Sequence, residues 1–133
     1  MERVIVVDSQ GNEKYTFYND EPFDIQIRYT TKKKIDDAVI GIAIYRDDQT
    51  YIYGTNTLID CAKQVSLDKE GVVELKIKQL PVNAGKYSFD FAFHRPDGFN
   101  YDFWREVCEV TIQNKKNEVG VITLPHFWEN IWG

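Results

Sequence analysis

The sequence predicts an all-β chain, an immunoglobulin-like antiparallel β-sandwich of about seven to nine strands. Three observations predict it. Apolar and polar residues alternate at period two in run after run, the pattern of strands with one face in a core and one in water. Turn signals recur at intervals of roughly eight to twelve residues. The stretch Leu80-Pro81-Val82-Asn83-Ala84-Gly85-Lys86-Tyr87 opens a further alternating strand with Gly-x-Tyr, the form of a tyrosine corner, whose hydroxyl bonds back to the turn backbone. No segment keeps a helical period for longer than one turn.

The elements follow in order. Val4–Asp8 is a short apolar strand closed by Ser9-Gln10-Gly11-Asn12. After Pro22, Phe23, Ile25, Ile27 and Tyr29 alternate with Asp24, Gln26, Arg28 and Thr30. Val39–Tyr45 sets Ile40, Ile42 and Ile44 against Val39, Gly41, Ala43 and Tyr45, turns at Arg46-Asp47-Asp48-Gln49, and returns as the hairpin strand Tyr51-Ile52-Tyr53. Val73, Leu75 and Ile77 alternate with Glu74, Lys76 and Lys78. The corner strand places Tyr87, Phe89, Phe91 and Phe93 inward and Ser88, Asp90, Ala92 and His94 outward. A loop at His94-Arg95-Pro96-Asp97-Gly98 leads to a long strand, Phe103–Gln113. Its predicted inner face is Trp104, Cys108, Val110 and Ile112, with Arg105, Val107, Glu109 and Thr111 outside. Glu106 falls on the inner parity, so it must sit at an edge or be paired. The polar run Asn114–Glu118 precedes a terminal strand, Val119–Leu124, and the apolar tail Pro125-His126-Phe127-Trp128. Residues 119–133 either cover their own sandwich or cross to a partner's.

A chain of 133 residues with 43% hydrophobic and 28% charged residues makes one domain able to bury a core without metals or disulfides. The net charge of -5 argues against a nucleic-acid partner, whose phosphates it would repel. Cys61 and Cys108 show no metal spacing, and Cys108 reads as a small core hydrophobe. Neither a signal peptide nor an apolar run of bilayer length stands out, which leads us to expect a cytoplasmic chain or an excised domain.

Catalytic motifs are missing: no phosphate-cradling glycine loop, no nucleophile elbow, no histidine pair at metal spacing. The acidic pairs Asp20-Glu21, Asp36-Asp37 and Asp47-Asp48 all fall in expected turns, where Asp serves local backbone bonds. Lys32-Lys33-Lys34 reads as a solvated loop. We therefore expect a binding module, with no cofactor, no metal and no catalytic residue.

Aromatic residues make up 14% of the chain, and the eight Tyr and three Trp exceed what such a core requires. If Tyr87 marks the corner strand, the strands from Val39, Tyr51, Tyr87 and Phe103 share a sheet. Their outward faces then carry Gly41, Ala43 and Ala92, with Tyr45, Tyr51, Tyr53, Phe103, Asp90, His94 and Arg105 around them. Small residues flanked by aromatics and mixed donors and acceptors describe a shallow sugar groove. Tyr45, Tyr51 and Tyr53 are the candidate stacking walls; Asp90, His94 and Arg105 are the candidate hydroxyl partners. The competing reading is that the aromatics shield an exposed sheet.

The order of these pieces resembles the carbohydrate-binding C-terminal domain of the ATPase subunit of O-antigen polysaccharide ABC transporters, the Wzt type. The residues that carry the resemblance are Asp8-Ser9-Gln10-Gly11, Phe17 with Asn19-Asp20-Glu21-Pro22-Phe23, Val39–Ile44, Tyr53-Gly54-Thr55-Asn56-Thr57, Leu80–Tyr87, and Gly120–Leu124 with Trp128. The resemblance covers nearly the whole chain. It implies recognition of the exported polysaccharide, a homodimer with an exchanged terminal strand, and transporter nucleotide-binding and membrane subunits as partners at the inner face of the inner membrane. No binding residue is carried over from it, and Thr55 and Asn56 read first as strand-end hydrogen bonders. The alternative function is a structural dimerisation module with no glycan.

Overall fold

The computed structural model describes residues 1–130. Nine strands and one helical turn run in the order β1 (Arg3–Val7), β2 (Thr16–Tyr18), β3 (Phe23–Thr30), β4 (Ile35–Arg46), β5 (Tyr51–Asn56), α1 (Thr57–Cys61), β6 (Val65–Leu67), β7 (Glu70–Ile77), β8 (Gly85–His94) and β9 (Asn100–Gln113). They form two sheets: β1-β3-β7, and β2-β9-β8-β4-β5 with β6 paired to β4. The pairing is antiparallel throughout except for β2, which runs parallel to β9.

On β3 and β8 the core lies where the sequence pattern places it; on β9 Cys108, Val110 and Ile112 are buried as expected, but Trp104 is not part of the core cluster. Phe23, Ile25, Ile27 and Tyr29 of β3 face Phe89, Phe91 and Phe93 of β8 across the sandwich, and all are buried. Phe23 meets Phe89 edge-on and Tyr29 meets Phe93 edge-on, the arrangement that the ring quadrupoles favour. Phe17 of β2 stacks on Phe23 and closes one end. The two shortest strands, β2 and β6, leave no alternating pattern of their own, since three residues are too few for a period to register.

The tyrosine corner forms as expected. Tyr87, 1% exposed, donates its hydroxyl to the Asn83 carbonyl at 2.8 Å. Asn83 in turn holds the C-terminal segment: its side-chain amide donates to Gly120 O and Ile122 O, and its backbone N–H to Val121 O. The expected strand over Val119–Leu124 is reduced to an isolated bridge between Val82 and Ile122, because these few contacts replace a full ladder. Beyond it the tail stays open, with Phe127 and Trp128 exposed. The tail's last residues, 131–133, lie outside the described residues.

Two bulges alter the face assignment. Between β8 and β9 the register passes from Phe89↔Cys108 to Phe91↔Trp104, so Arg105, Glu106 and Val107 all stand opposite Asp90. Glu106 takes φ +49 there and is exposed, which resolves its awkward parity. Val107, expected outside, packs against the core instead. Between β4 and β5 the register passes from Ile44↔Tyr53 to Tyr45↔Tyr51, leaving Ile52 as the extra residue. Of the acidic pairs, Asp36-Asp37 belongs to strand β4 rather than to a turn, because β4 begins four residues earlier than the apolar run that marks it.

Candidate functional site

On the outward face of the larger sheet, β4, β5, β8 and β9 enclose a shallow groove of about 310 Å³. Gly41 and Ala43 of β4 and Ala92 of β8 form its floor. Register explains the assembly: Gly41 lies opposite Ala92 and Asn56, and Ala43 opposite Asp90 and Gly54, so small side chains gather on adjacent strands. Tyr51, Phe103 and Ile59 stand around the floor, 60%, 49% and 71% exposed. These exposed apolar groups are gathered round one depression rather than scattered singly.

Tyr51 is positioned by its neighbours on both sides. The hairpin turn before it is held by Asp48, whose carboxylate accepts from Thr50 N–H at 3.0 Å and pairs with Arg46. That guanidinium, with the Thr50 donors, keeps the Asp48 carboxyl well below the usual carboxylate range. The Tyr51 ring stacks on Tyr45, with centroids 5.0 Å apart. It lies over Gly54: a Cβ there would meet the Tyr51 hydroxyl at 1.9 Å. Glycine at 54 thus allows the ring to fold across the strand toward the floor.

The polar groups come from strand ends and from a buried carboxylate. Asn56 caps α1, its Oδ1 accepting from Ile59 N–H at 2.8 Å, and Thr55 donates its hydroxyl to Asp60 at 2.9 Å. Both act as strand-end hydrogen bonders and also line the groove. Asp90, 6% exposed, lines it too, with Oδ1 accepting from Glu106 N–H at 2.7 Å.

The six candidate residues divide. Tyr51 and Asp90 line the groove. Tyr45 stands behind Tyr51 as its stacking partner. His94 lies at the Gly41 end, with Nε2 3.6 Å from where a Gly41 Cβ would be and Nδ1 on the Arg95 carbonyl at 2.7 Å. Tyr53 is on the opposite face: the extra residue Ile52 breaks the alternation and pairs Tyr53 with buried Ile44, so it lines a separate apolar depression with Leu75, Leu80 and Ile122. Arg105 sits in the β9 bulge and is not among the groove residues. Ile59 was missed because the single turn α1 is too short for a helical period. The signal that could have found it is Asn56 as a helix cap, with Asp60 in the first turn.

Among the described residues, no three His, Cys, Asp or Glu side chains cluster closely enough to hold a metal ion, and no helix is long and apolar enough to cross a membrane. Both cysteines are free; burial pushes the Cys108 thiol up to about 12.

No curated protein matches the chain in sequence. Among solved structures, the fold is similar to that described as the crystal structure of the C-terminal domain of Wzt, with a TM-score of 0.82 over 96% of this chain and 80% of that one. Sequence identity is 18%, so this likeness speaks for the fold. The Wzt C-terminal domain family matches residues 1–124, which takes in every strand from β1 to β9, and on that match the chain belongs to the Wzt C-terminal domain family.

Proposed function

We propose that this chain is a non-catalytic carbohydrate-binding domain that recognises a bacterial cell-surface polysaccharide of the O-antigen kind for an ABC exporter. The observation that carries the proposal is the groove. A floor of Gly41, Ala43 and Ala92 admits a ring close to the backbone, while Tyr51 and Phe103 offer apolar faces to its C–H groups and Asp90, Asn56 and Thr55 offer polar atoms to its hydroxyls. Membership of the Wzt C-terminal domain family supports the exporter setting. In that setting the partners are the nucleotide-binding and membrane subunits, at the cytoplasmic face of the inner membrane.

A shallow groove binds weakly. A Kd on the order of 1 mM corresponds to about -4 kcal/mol, and a homodimer gripping a repeating polymer raises the effective affinity. Screening the protein on an array of bacterial surface glycans, then repeating the screen with Tyr51→Ala, tests the reading. Binding to one glycan group, lost in the variant while its NMR spectrum stays dispersed, is the expected result. A variant that binds unchanged refutes this groove as the site.

A second reading, a dimerisation module with no glycan, is favoured by the exposed tail, where Phe127 is 80% and Trp128 75% exposed. Because Gly120–Thr123 is tied to Pro81–Asn83, the informative truncation ends the chain at Leu124 and keeps those contacts. If the tail drives assembly, the truncated protein sediments as a monomer. A dimer that persists removes the tail as its cause.

A further inference from the structure

Asp90 is the groove's only charged lining residue among those described, and it is unusually placed. It is 6% exposed on strand β8, between buried Phe89 and Phe91. Burying a carboxylate is costly unless its oxygens find partners. One does: Oδ1 accepts from Glu106 N–H and holds the β9 bulge, where Glu106 is in the left-handed region at φ +49. Among the described residues Asp90 makes no other side-chain hydrogen bond and no ion pair, and no buried side-chain polar atom lacks a partner. Oδ2 therefore reaches solvent, and the opening that Asp90 lines is the groove. Asparagine can hold the bulge through the same N–H, because its carbonyl also accepts, though more weakly than a carboxylate.

Resting on the carbohydrate reading of this groove, we infer that it selects sugar units carrying no negative charge, with Asp90 Oδ2 accepting from a hydroxyl or amino group and repelling uronates, sialates and phosphorylated sugars. A carboxylate with one oxygen open to the groove takes hydrogen-bond donors and disfavours a second anion placed against it. Among the described residues no lysine or arginine lines the groove to offset it, and Arg105, in the bulge opposite, makes no ion pair with it. On the rim, Ile59 and Phe103 add nothing that would solvate an anion, and Tyr51 adds one neutral hydroxyl and no positive charge.

The test is an array of bacterial oligosaccharides in neutral, amino-bearing, uronate-bearing and phosphate-bearing groups, probed with the full chain and with Asp90→Asn, whose fold is checked by NMR. The wild type is expected to bind neutral or amino-bearing glycans, with acidic counterparts of the same backbone weaker by about tenfold or more. Asp90→Asn is expected to bring acidic counterparts to within a few-fold of the neutral ones. Equal or preferential binding of acidic glycans by the wild type overturns the inference, as does a charge preference that Asp90→Asn leaves unmoved. Absence of any binding overturns the carbohydrate reading itself, a result distinct from a wrong charge preference.

Discussion

Substituting Gly54 by alanine separates stability from the proposed function at a single methyl group. The added Cβ would lie 1.9 Å from the Tyr51 hydroxyl oxygen, 3.0 Å from Cζ and 3.3 Å from Cε1, so the ring must move. The obstacle is the far end of an exposed side chain, and a swing about χ1 and χ2 relieves it without moving backbone. Leaving Tyr45 sacrifices an aromatic stack with centroids 5.0 Å apart, which costs about 0.5–1.5 kcal/mol. Replacing glycine within a strand returns about 0.5–1 kcal/mol through the lower entropy of the unfolded chain. The net change in stability is thus within about 1 kcal/mol, a Tm shift of no more than roughly 5 °C for a domain of this size. The groove, however, loses its stacking wall, and a loss of about 1.4 kcal/mol is a tenfold weaker Kd. Thermal unfolding, nuclear Overhauser contacts between the Tyr45 and Tyr51 rings, and chemical-shift titration with the array-selected glycan measure the three quantities. Retention of both the ring contacts and the affinity would refute the account of how Gly54 shapes the wall; a Tm fall well beyond 5 °C would refute the claim that only the side chain yields.

Two further outcomes follow from the same geometry. Tyr87→Phe leaves the buried Asn83 carbonyl without its hydroxyl donor and is expected to cost about 1–2 kcal/mol, whereas Tyr101→Phe, whose hydroxyl donates to Asp37 at the surface, is expected to stay within about 0.5 kcal/mol of wild type; equal losses in denaturant unfolding would contradict the corner's role. At pH 8 a thiol reagent is expected to modify exposed Cys61 at once, and Cys108, with its thiol pushed up to about 12 by burial, only on unfolding; two fast equivalents in the native protein would show that Cys108 is accessible.

Period-two alternation and turn chemistry determined the sandwich, its inner residues and the tyrosine corner, because burial of one strand face is a local pattern that each residue's polarity records. The four strands that build the groove were legible for the same reason, as were its floor of Gly41, Ala43 and Ala92 and the wall residue Tyr51. Parity carries only as far as pairing stays regular. One extra residue at Ile52 turns Tyr53 to the opposite face from Tyr51, and two extra residues opposite Asp90 turn Val107 into the core and Glu106 out of it. A bulge is settled by the partner strand, through contacts such as Asp90 to Glu106 N–H across sixteen residues, and no local pattern encodes it. The same holds for Ile59, carried to the rim by a single turn of helix, and for the segment after Gly120, which is held by Asn83 rather than by a ladder. What the chain buries was written in its alternation, and so was the outward parity of Asp90; which aromatics share the groove, and the bond that ties Asp90 to the β9 bulge, were decided only when the strands met.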